Sequence, residues 1–159
     1  MSAVEIRSAR EDDASAILRL LAALSEQDGA AHPATAADYM RHGFGPDRLF
    51  QSILAEAAGR IVGVAVFFPT FSTQRGRPGV YVQDFYLAPN LRGQGLGRRL
   101  LAAFRAQAAG WGADHLLLMV DRSNDAARNF YNRMGFRPMA AYAPLLLDGT
   151  ALDALEDQA

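Results

Sequence analysis

The sequence predicts a mixed α/β domain, and three observations carry that prediction. Hydrophobic residues recur with helical spacing in some segments and with strand-like density in others. Three strand patterns follow one another closely between residues 52 and 87. A strand, a helix and a short apolar run then succeed each other over residues 80–120. That last series is a βαβ unit, whose strands lie parallel beneath their helix, whereas consecutive hairpins are antiparallel. A sheet holding both is mixed.

Residues 4–6 read as a short first strand. Asp12 or Asp13 is placed to cap a helix whose apolar positions Ile17, Leu20, Leu21 and Leu24 share one face. Residues 27–33 are then a loop. Thr35-x-x-Asp38 has the capping-box form that opens a second, short helix, and Gly43-Phe44-Gly45-Pro46 stops it. Residues 52–57 and 61–68 flank Ala58-Gly59-Arg60 as a hairpin. After a polar connection at 73–78, residues 80–87 form a third strand rich in β-branched and aromatic side chains. Residues 96–109 are helical, with Leu96, Leu100, Leu101 and Phe104 on one face. Residues 116–120 form a short buried strand, and a helix runs from 124 to Met134, closed by Gly135. Strand character returns after Phe136, notably at 144–147, and the polar tail beyond Ala151 is expected to fray. The predicted order is β-α-α-β-β-β-α-β-α-β, in one domain spanning 1–159.

Composition removes several classes of function. Half of the 159 residues are hydrophobic and 21% are charged, a globular profile. There is no cysteine, which excludes disulfides, thiolate metal sites and cysteine nucleophiles. His32, His42 and His115 fit no metal-ligand spacing, so no metal is expected. A net charge of −1 with no basic block gives nucleic acid nothing to bind. No apolar run reaches membrane-span length and the start lacks signal-peptide character, so a cytoplasmic protein is expected.

The most informative segment is Asp84-Phe85-Tyr86-Leu87-Ala88-Pro89-Asn90-Leu91-Arg92-Gly93-Gln94-Gly95-Leu96-Gly97-Arg98. A strand enters a loop with glycine at alternate positions, and the loop becomes a helix. Glycines permit unusual dihedrals and close ligand approach, while the first amides of the helix lack internal partners and carry its positive dipole end. Such a loop either makes a tight turn or holds a phosphate or pyrophosphate, with Arg92, Arg98 or Arg99 adding charge. A dinucleotide fold would need its third glycine one residue later, and a P-loop needs a lysine that the chain lacks.

The run Asp84-Phe85-Tyr86-Leu87-x-Pro89-x-x-Arg92-Gly93-x-Gly95-Leu96-Gly97, followed by Asn124-x-x-Ala127-x-x-Phe130-Tyr131-x-x-x-Gly135-Phe136, resembles the GNAT superfamily of acetyl-CoA-dependent N-acetyltransferases. Ile6-Arg7-x-Ala9-x-x-x-Asp13 agrees as well. The resemblance implies a central mixed, mostly antiparallel sheet flanked by about four helices. It implies that Arg92, Gly93, Gln94, Gly95, Leu96, Gly97 and Arg98 hold the cofactor's pyrophosphate, that the main chain of Phe85, Tyr86 and Leu87 pairs with its pantetheine arm, and that Asn124 and Ala127 contribute. Tyr131 would be the general acid for the departing thiolate, and Asn124 would cap its helix or bind the pantetheine amide. The transfer would pass through a tetrahedral intermediate with no covalent enzyme species.

Residues 17–20, 43–45 and 68–71 are similar to the diamine (spermidine/spermine-like) acetyltransferase branch. That branch carries a glutamate where this chain has Gln83, which cannot accept a proton. Either water or Asp84 serves, or the substrate differs, and strand alternation separates Gln83 from Asp84 unless a bulge intervenes. Asp28 matches an acidic position that meets a substrate ammonium. The implied acceptor is a small-molecule amine, a polyamine or lysine-like amino acid. Acetylation of protein N-termini or side chains and a non-catalytic acyl-CoA-binding domain are the alternatives. Members of the branch are commonly homodimers, and 144–147 is a candidate edge strand for that interface.

Overall fold

A computed structural model describes residues 4–154. The chain divides into two compact units, Met1–Met119 and Val120–Ala159. In the first, β1 (Val4–Ser8) leads to α1 (Ala14–Gln27), α2 (Ala36–Tyr39), β2 (Gln51–Ala57), β3 (Arg60–Ser72), β4 (Arg77–Leu87), α3 (Leu96–Ala109) and β5 (Leu116–Leu118). The second holds α4 (Asp125–Arg133) and α5 (Gly149–Asp153). No helix among the described residues is long and apolar enough to cross a membrane.

The five strands lie in sequence order, antiparallel from β1 to β4 and parallel between β4 and β5. This is the predicted mixed sheet. Alternation along β2 and β3 sends Leu54, Val64 and Val66 to one face, where Ile17 and Leu21 of α1 pack with Tyr86. The opposite face buries Phe67 edge-on against Phe104 of α3, ring centroids 4.7 Å apart. Each such fully buried aromatic contributes about 1.5–3 kcal/mol relative to exposure. Helices thus cover both faces, and the loop preceding α3 is pinned to the end of β4.

Several expectations need correction. Asp13 precedes α1 but makes no capping bond to it. Its carboxylate instead receives both terminal nitrogens of Arg7, at 2.7 and 2.9 Å, and the Arg10 amide at 2.7 Å. A charge-assisted, two-pronged pair outcompetes an ordinary cap. Thr35 does cap α2, accepting the Asp38 amide while Asp38 accepts the Thr35 amide. Strands β3 and β4 run longer than their apolar patterns because Thr70, Phe71 and Ser72 pair with Gly79, Pro78 and Arg77, leaving only 73–76 as the turn. Residues 144–147 are not a strand. Leu145 and Leu146 are 97% and 85% exposed, and an apolar run becomes a strand only when a neighbouring backbone supplies its hydrogen bonds. The final predicted β element is therefore absent among the described residues, and a fifth helix extends to Asp153. Part of the tail predicted to fray, 155–159, lies outside the described residues.

Candidate active site

The loop at the end of β4 has the geometry of an anion cradle. Gly93 and Gly95 adopt φ of 75° and 78°, in the left-handed region that side chains with a Cβ avoid. Among the described residues the amides of Gly93, Gln94, Gly95, Leu96, Gly97 and Arg98 have no backbone partner; the first bond of the turn is from the Arg99 amide to the Gly95 carbonyl, 3.2 Å. Six consecutive free N–H groups at a helix start, beside the exposed Arg98, fit a pyrophosphate. The side chains around them have other duties. Gln94 braces the loop by donating to the Asn90 carbonyl at 3.0 Å, and Leu96 is buried in the core. Arg92 is turned away from the cradle: its Nε donates to the Leu87 carbonyl at 2.9 Å, an Nη to Gln27 Oε1 at 3.1 Å, and its guanidinium lies 5.7 Å from the Tyr86 ring centre. Arg99 donates to the Val4 carbonyl. Of the three arginines considered, Arg98 alone remains available to an anion, so the cradle relies chiefly on main chain.

The second half of β4 runs past the end of its parallel neighbour β5. Pairing with β5 ends at Val82 with Leu118, while β4 continues to Leu87. From Gln83 onward no residue of β5 pairs with β4. That is the edge at which an extended ligand chain could hydrogen-bond like an added strand. Tyr86 packs its ring into the core, and Leu87 gives its carbonyl to Arg92.

Between β3 and β4 the ladder slips by one residue. Phe67 faces Val82, its neighbour Val66 faces Asp84, and Gln83 is the extra residue of a β-bulge. Before the bulge Tyr81 shares a face with Phe68, their rings stacked 5.0 Å apart. After it Asp84 and Tyr86 take that same face, opposite Val66 and Val64. Gln83 and Asp84 therefore both point to the α1 side, the arrangement that regular alternation forbids. Gln83 is exposed and borders a cavity of about 300 Å³ with Leu49, Phe50, Val66 and Phe68.

Asp84 is the electrostatic centre of this face. Burial raises its carboxyl above the ordinary value, the His32 imidazole lowers it, and the Asp28 carboxylate raises it. Burial, then the charge of Asp84, raises the phenols of Tyr39 and Tyr81, the former to about 12. Asp28, just past the end of α1, acts on Asp84 through its charge. His32, Tyr39 and Tyr81 were not predicted for this site. The ordinary loop histidine and two tyrosines carry no spacing signal that could have found them; the packing of α2 and the loop before it brings His32 and Tyr39 here, and the bulge in β4 brings Tyr81 onto the same face.

In the second unit, Asn124 caps α4, its Oδ1 accepting the Ala127 amide at 3.0 Å. Arg128 is a surface residue held by the Arg122 carbonyl and Asp125. Tyr131 is flanked edge-on by Phe130 and Phe136 at 5.2 and 5.3 Å, and burial pushes its phenol up to about 12. It is therefore protonated throughout the neutral range. Gly135, at φ 90°, ends the helix as predicted.

A family model described as the Acetyltransferase (GNAT) family matches residues 17–136. The chain belongs to that family. As a GNAT enzyme it is an acetyl-CoA-dependent N-acetyltransferase. It is 31% identical over 145 residues to thialysine N-epsilon-acetyltransferase of Mus musculus, with 85% of each chain covered. It is also 31% identical over 144 residues to the human (Homo sapiens) spermidine/spermine N(1)-acetyltransferase-like protein 1, covering 85% of this chain and 21% of that one. Both place it near the polyamine acetyltransferase branch. Among solved structures, an integron cassette protein from the mobile metagenome of V. cholerae superposes with a TM-score of 0.82 at 21% identity, covering 98% of each chain, and shares the fold.

Proposed function

We propose that this GNAT enzyme moves an acetyl group from acetyl-CoA directly to a primary amine of a small cationic aliphatic molecule, a polyamine or a lysine-like amino acid. One observation carries the choice of acceptor: the bulge at Gln83 sets Gln83 and Asp84 on one face, beside an apolar cavity and within the influence of Asp28. Apolar walls suit methylene segments and the carboxylates suit ammonium groups. A cavity of about 300 Å³ is at the small end for ligand sites, which favours a short amine over a peptide.

Acetyl-CoA supplies the activated thioester, and the chain's own residues do the rest. The amides of Gly93 to Arg98 hold the pyrophosphate, and the end of β4 beyond β5 orients the pantetheine arm. Main-chain N–H groups along that edge stabilise negative charge developing on the thioester oxygen. Asp84 and Asp28 attract the ammonium, and the Gln83 amide orients it. Tyr131 serves the departing sulfur. Burial raises its phenol, and an ordinary thiol is already the stronger acid, so outright proton transfer to the thiolate is uphill. Tyr131 therefore acts mainly as a hydrogen-bond donor to the nascent thiolate.

This reading treats residues 1–159 as a single catalytic domain, which the match across 17–136 supports because it spans both compact units. It also makes the enzyme cytoplasmic and independent of metal, nucleic acid and membrane. The exposed run at Leu145 and Leu146 supports a homodimer, which light scattering at low micromolar concentration tests. The central experiment incubates the enzyme with acetyl-CoA and, separately, 1,4-diaminobutane, spermidine, lysine, thialysine and neutral benzylamine, with products read by mass spectrometry. Acetylated diamine or lysine-like product is expected. Modification of benzylamine alone would overturn the cationic assignment, and no product from any amine would favour an acyl-CoA-binding role.

A further inference from the structure

The proposed transfer requires that the acceptor arrive as an ammonium and attack as a free amine, yet Gln83 cannot take its proton. His32 occupies the loop between α1 and α2, and the reaction as described above makes no use of it. Its Nδ1 lies 3.0 Å from Ser25 Oγ, on the last turns of α1. Its ring stacks on Tyr39, centroids 6.4 Å apart and planes 19° off parallel. Its Nε2 is buried and has no hydrogen-bond partner among the described residues. A buried ring nitrogen without a partner is expensive, and a polar neighbour or a bound water normally resolves it.

Tyr39 connects His32 to the acceptor face: its ring also meets Phe50 edge-on at 5.7 Å, and Phe50 lines the cavity that Gln83 borders. The charge of His32 lowers the Asp84 carboxyl. Tyr39 of α2 lies against His32; Asp84 of β4 also feels Asp28 from the end of α1, its charge reaches Tyr81 and Tyr39, and Asp38 of α2 acts on Tyr39 as well. The nearby Arg92 is engaged with Gln27 and Leu87. His32 is thus the one imidazole in a cluster otherwise made of carboxylates and phenols.

We propose that His32 is a positioning residue that completes proton removal from the acceptor, acting through Asp84. With Nδ1–H donated to Ser25 Oγ, the lone pair sits on Nε2. One N–H bond of the acceptor ammonium breaks and its proton passes to Asp84; a water bridging Asp84 and Nε2 hands a proton on to the imidazole. The amine nitrogen keeps the electron pair it needs to attack. Asp84 returns to its carboxylate form beside an imidazolium, which loses the proton to solvent before the next turnover. An unperturbed imidazole is a stronger base than an unperturbed carboxylate by roughly 2.6 pH units; burial of Asp84 narrows that gap, and the imidazole adds a second proton acceptor where Gln83 offers none. This inference rests on the acceptor reading given above.

The test is a pH profile of kcat/KM from pH 6 to 9.5 for wild type and His32→Gln, with 1,4-diaminobutane, spermidine and thialysine as acceptors. At pH 7 the variant should lose roughly ten- to hundred-fold, with acetyl-CoA affinity unchanged. The deficit should shrink steadily as pH rises, because amines arriving already neutral need no base. A deficit of constant size, or no deficit, overturns the role of His32. If the wild type acetylates none of the acceptors, the acceptor reading fails and this proposal with it. Should His32→Gln not fold, histidine-labelled ¹⁵N spectra of the wild type decide. They must show Nδ1 protonated and Nε2 bare in neutral His32, with the titration midpoint falling in Asp84→Asn. The opposite tautomer, or an unmoved midpoint, refutes the proposal.

Discussion

Replacing Gly95 by alanine separates the two things a glycine does in the cradle. Gly95 has φ 78° immediately before α3, and Gly59, in the β2–β3 turn, has φ 72°. At both, the space a Cβ would fill is open, so the penalty is conformational rather than steric. An L-residue held in the left-handed region costs about 1–2 kcal/mol, and each kcal/mol lowers Tm by about 2–4 °C in a chain of this size. Gly95→Ala and Gly59→Ala should therefore each melt roughly 2–8 °C below wild type in scanning fluorimetry. Their ligand binding should differ. At position 95 the loop can relieve strain only by rotating peptide groups whose N–H atoms face the anion. Losing one charge-assisted hydrogen bond is worth about 1.5–3 kcal/mol, which at 1.4 kcal/mol per decade weakens coenzyme A binding about ten- to hundred-fold by titration calorimetry. Gly59→Ala should bind as wild type does. If Gly95→Ala melts early yet binds coenzyme A undiminished, the loop is a turn and nothing more.

Tyr131→Phe should reduce kcat about ten- to hundred-fold while leaving acetyl-CoA affinity nearly intact, since it removes one donor to the leaving thiolate; unchanged kcat in steady-state assays would remove that role. Asn124→Ala deletes the cap at the Ala127 amide and should destabilise by about 1 kcal/mol, read as a loss of a few degrees in Tm. Asp84→Asn should lower kcat/KM for cationic acceptors but stabilise the free protein at pH 7. The sign follows from burial having raised the Asp84 carboxyl: the folded state binds the proton more tightly than the unfolded one. The charged form therefore erodes stability as pH rises from the unfolded value through the folded one. The stabilisation by asparagine should be largest at neutral pH and vanish in acid, where both states of Asp84 are protonated. Equal melting temperatures of the two proteins at every pH would contradict it.

Sequence alone sufficed wherever the cause was local. Glycines 93 and 95, then an amphipathic run from Leu96, dictate a left-handed loop and a helix because such dihedrals and helix-start amides depend on a few adjacent residues. Asn124 and Gly135 mark the two ends of α4 for the same reason, and Ala58-Gly59-Arg60 between two apolar runs marks the β2–β3 hairpin. What lay beyond reach depended on counting between distant segments. Alternation read along β4 puts Gln83 and Asp84 on opposite faces, and no residue in β4 announces the slip against β3 that reunites them; a bulge exists only in the pairing of two strands. Asp13 was taken by Arg7 rather than by its own helix, and residues 144–147 lacked a partner backbone to make them a strand. His32, Tyr39 and Tyr81 gather around Asp84 because α1, α2 and the sheet pack there. The shift in the Asp84 carboxyl comes from that burial and those neighbouring charges, properties of a three-dimensional enclosure that no stretch of chain possesses before it folds.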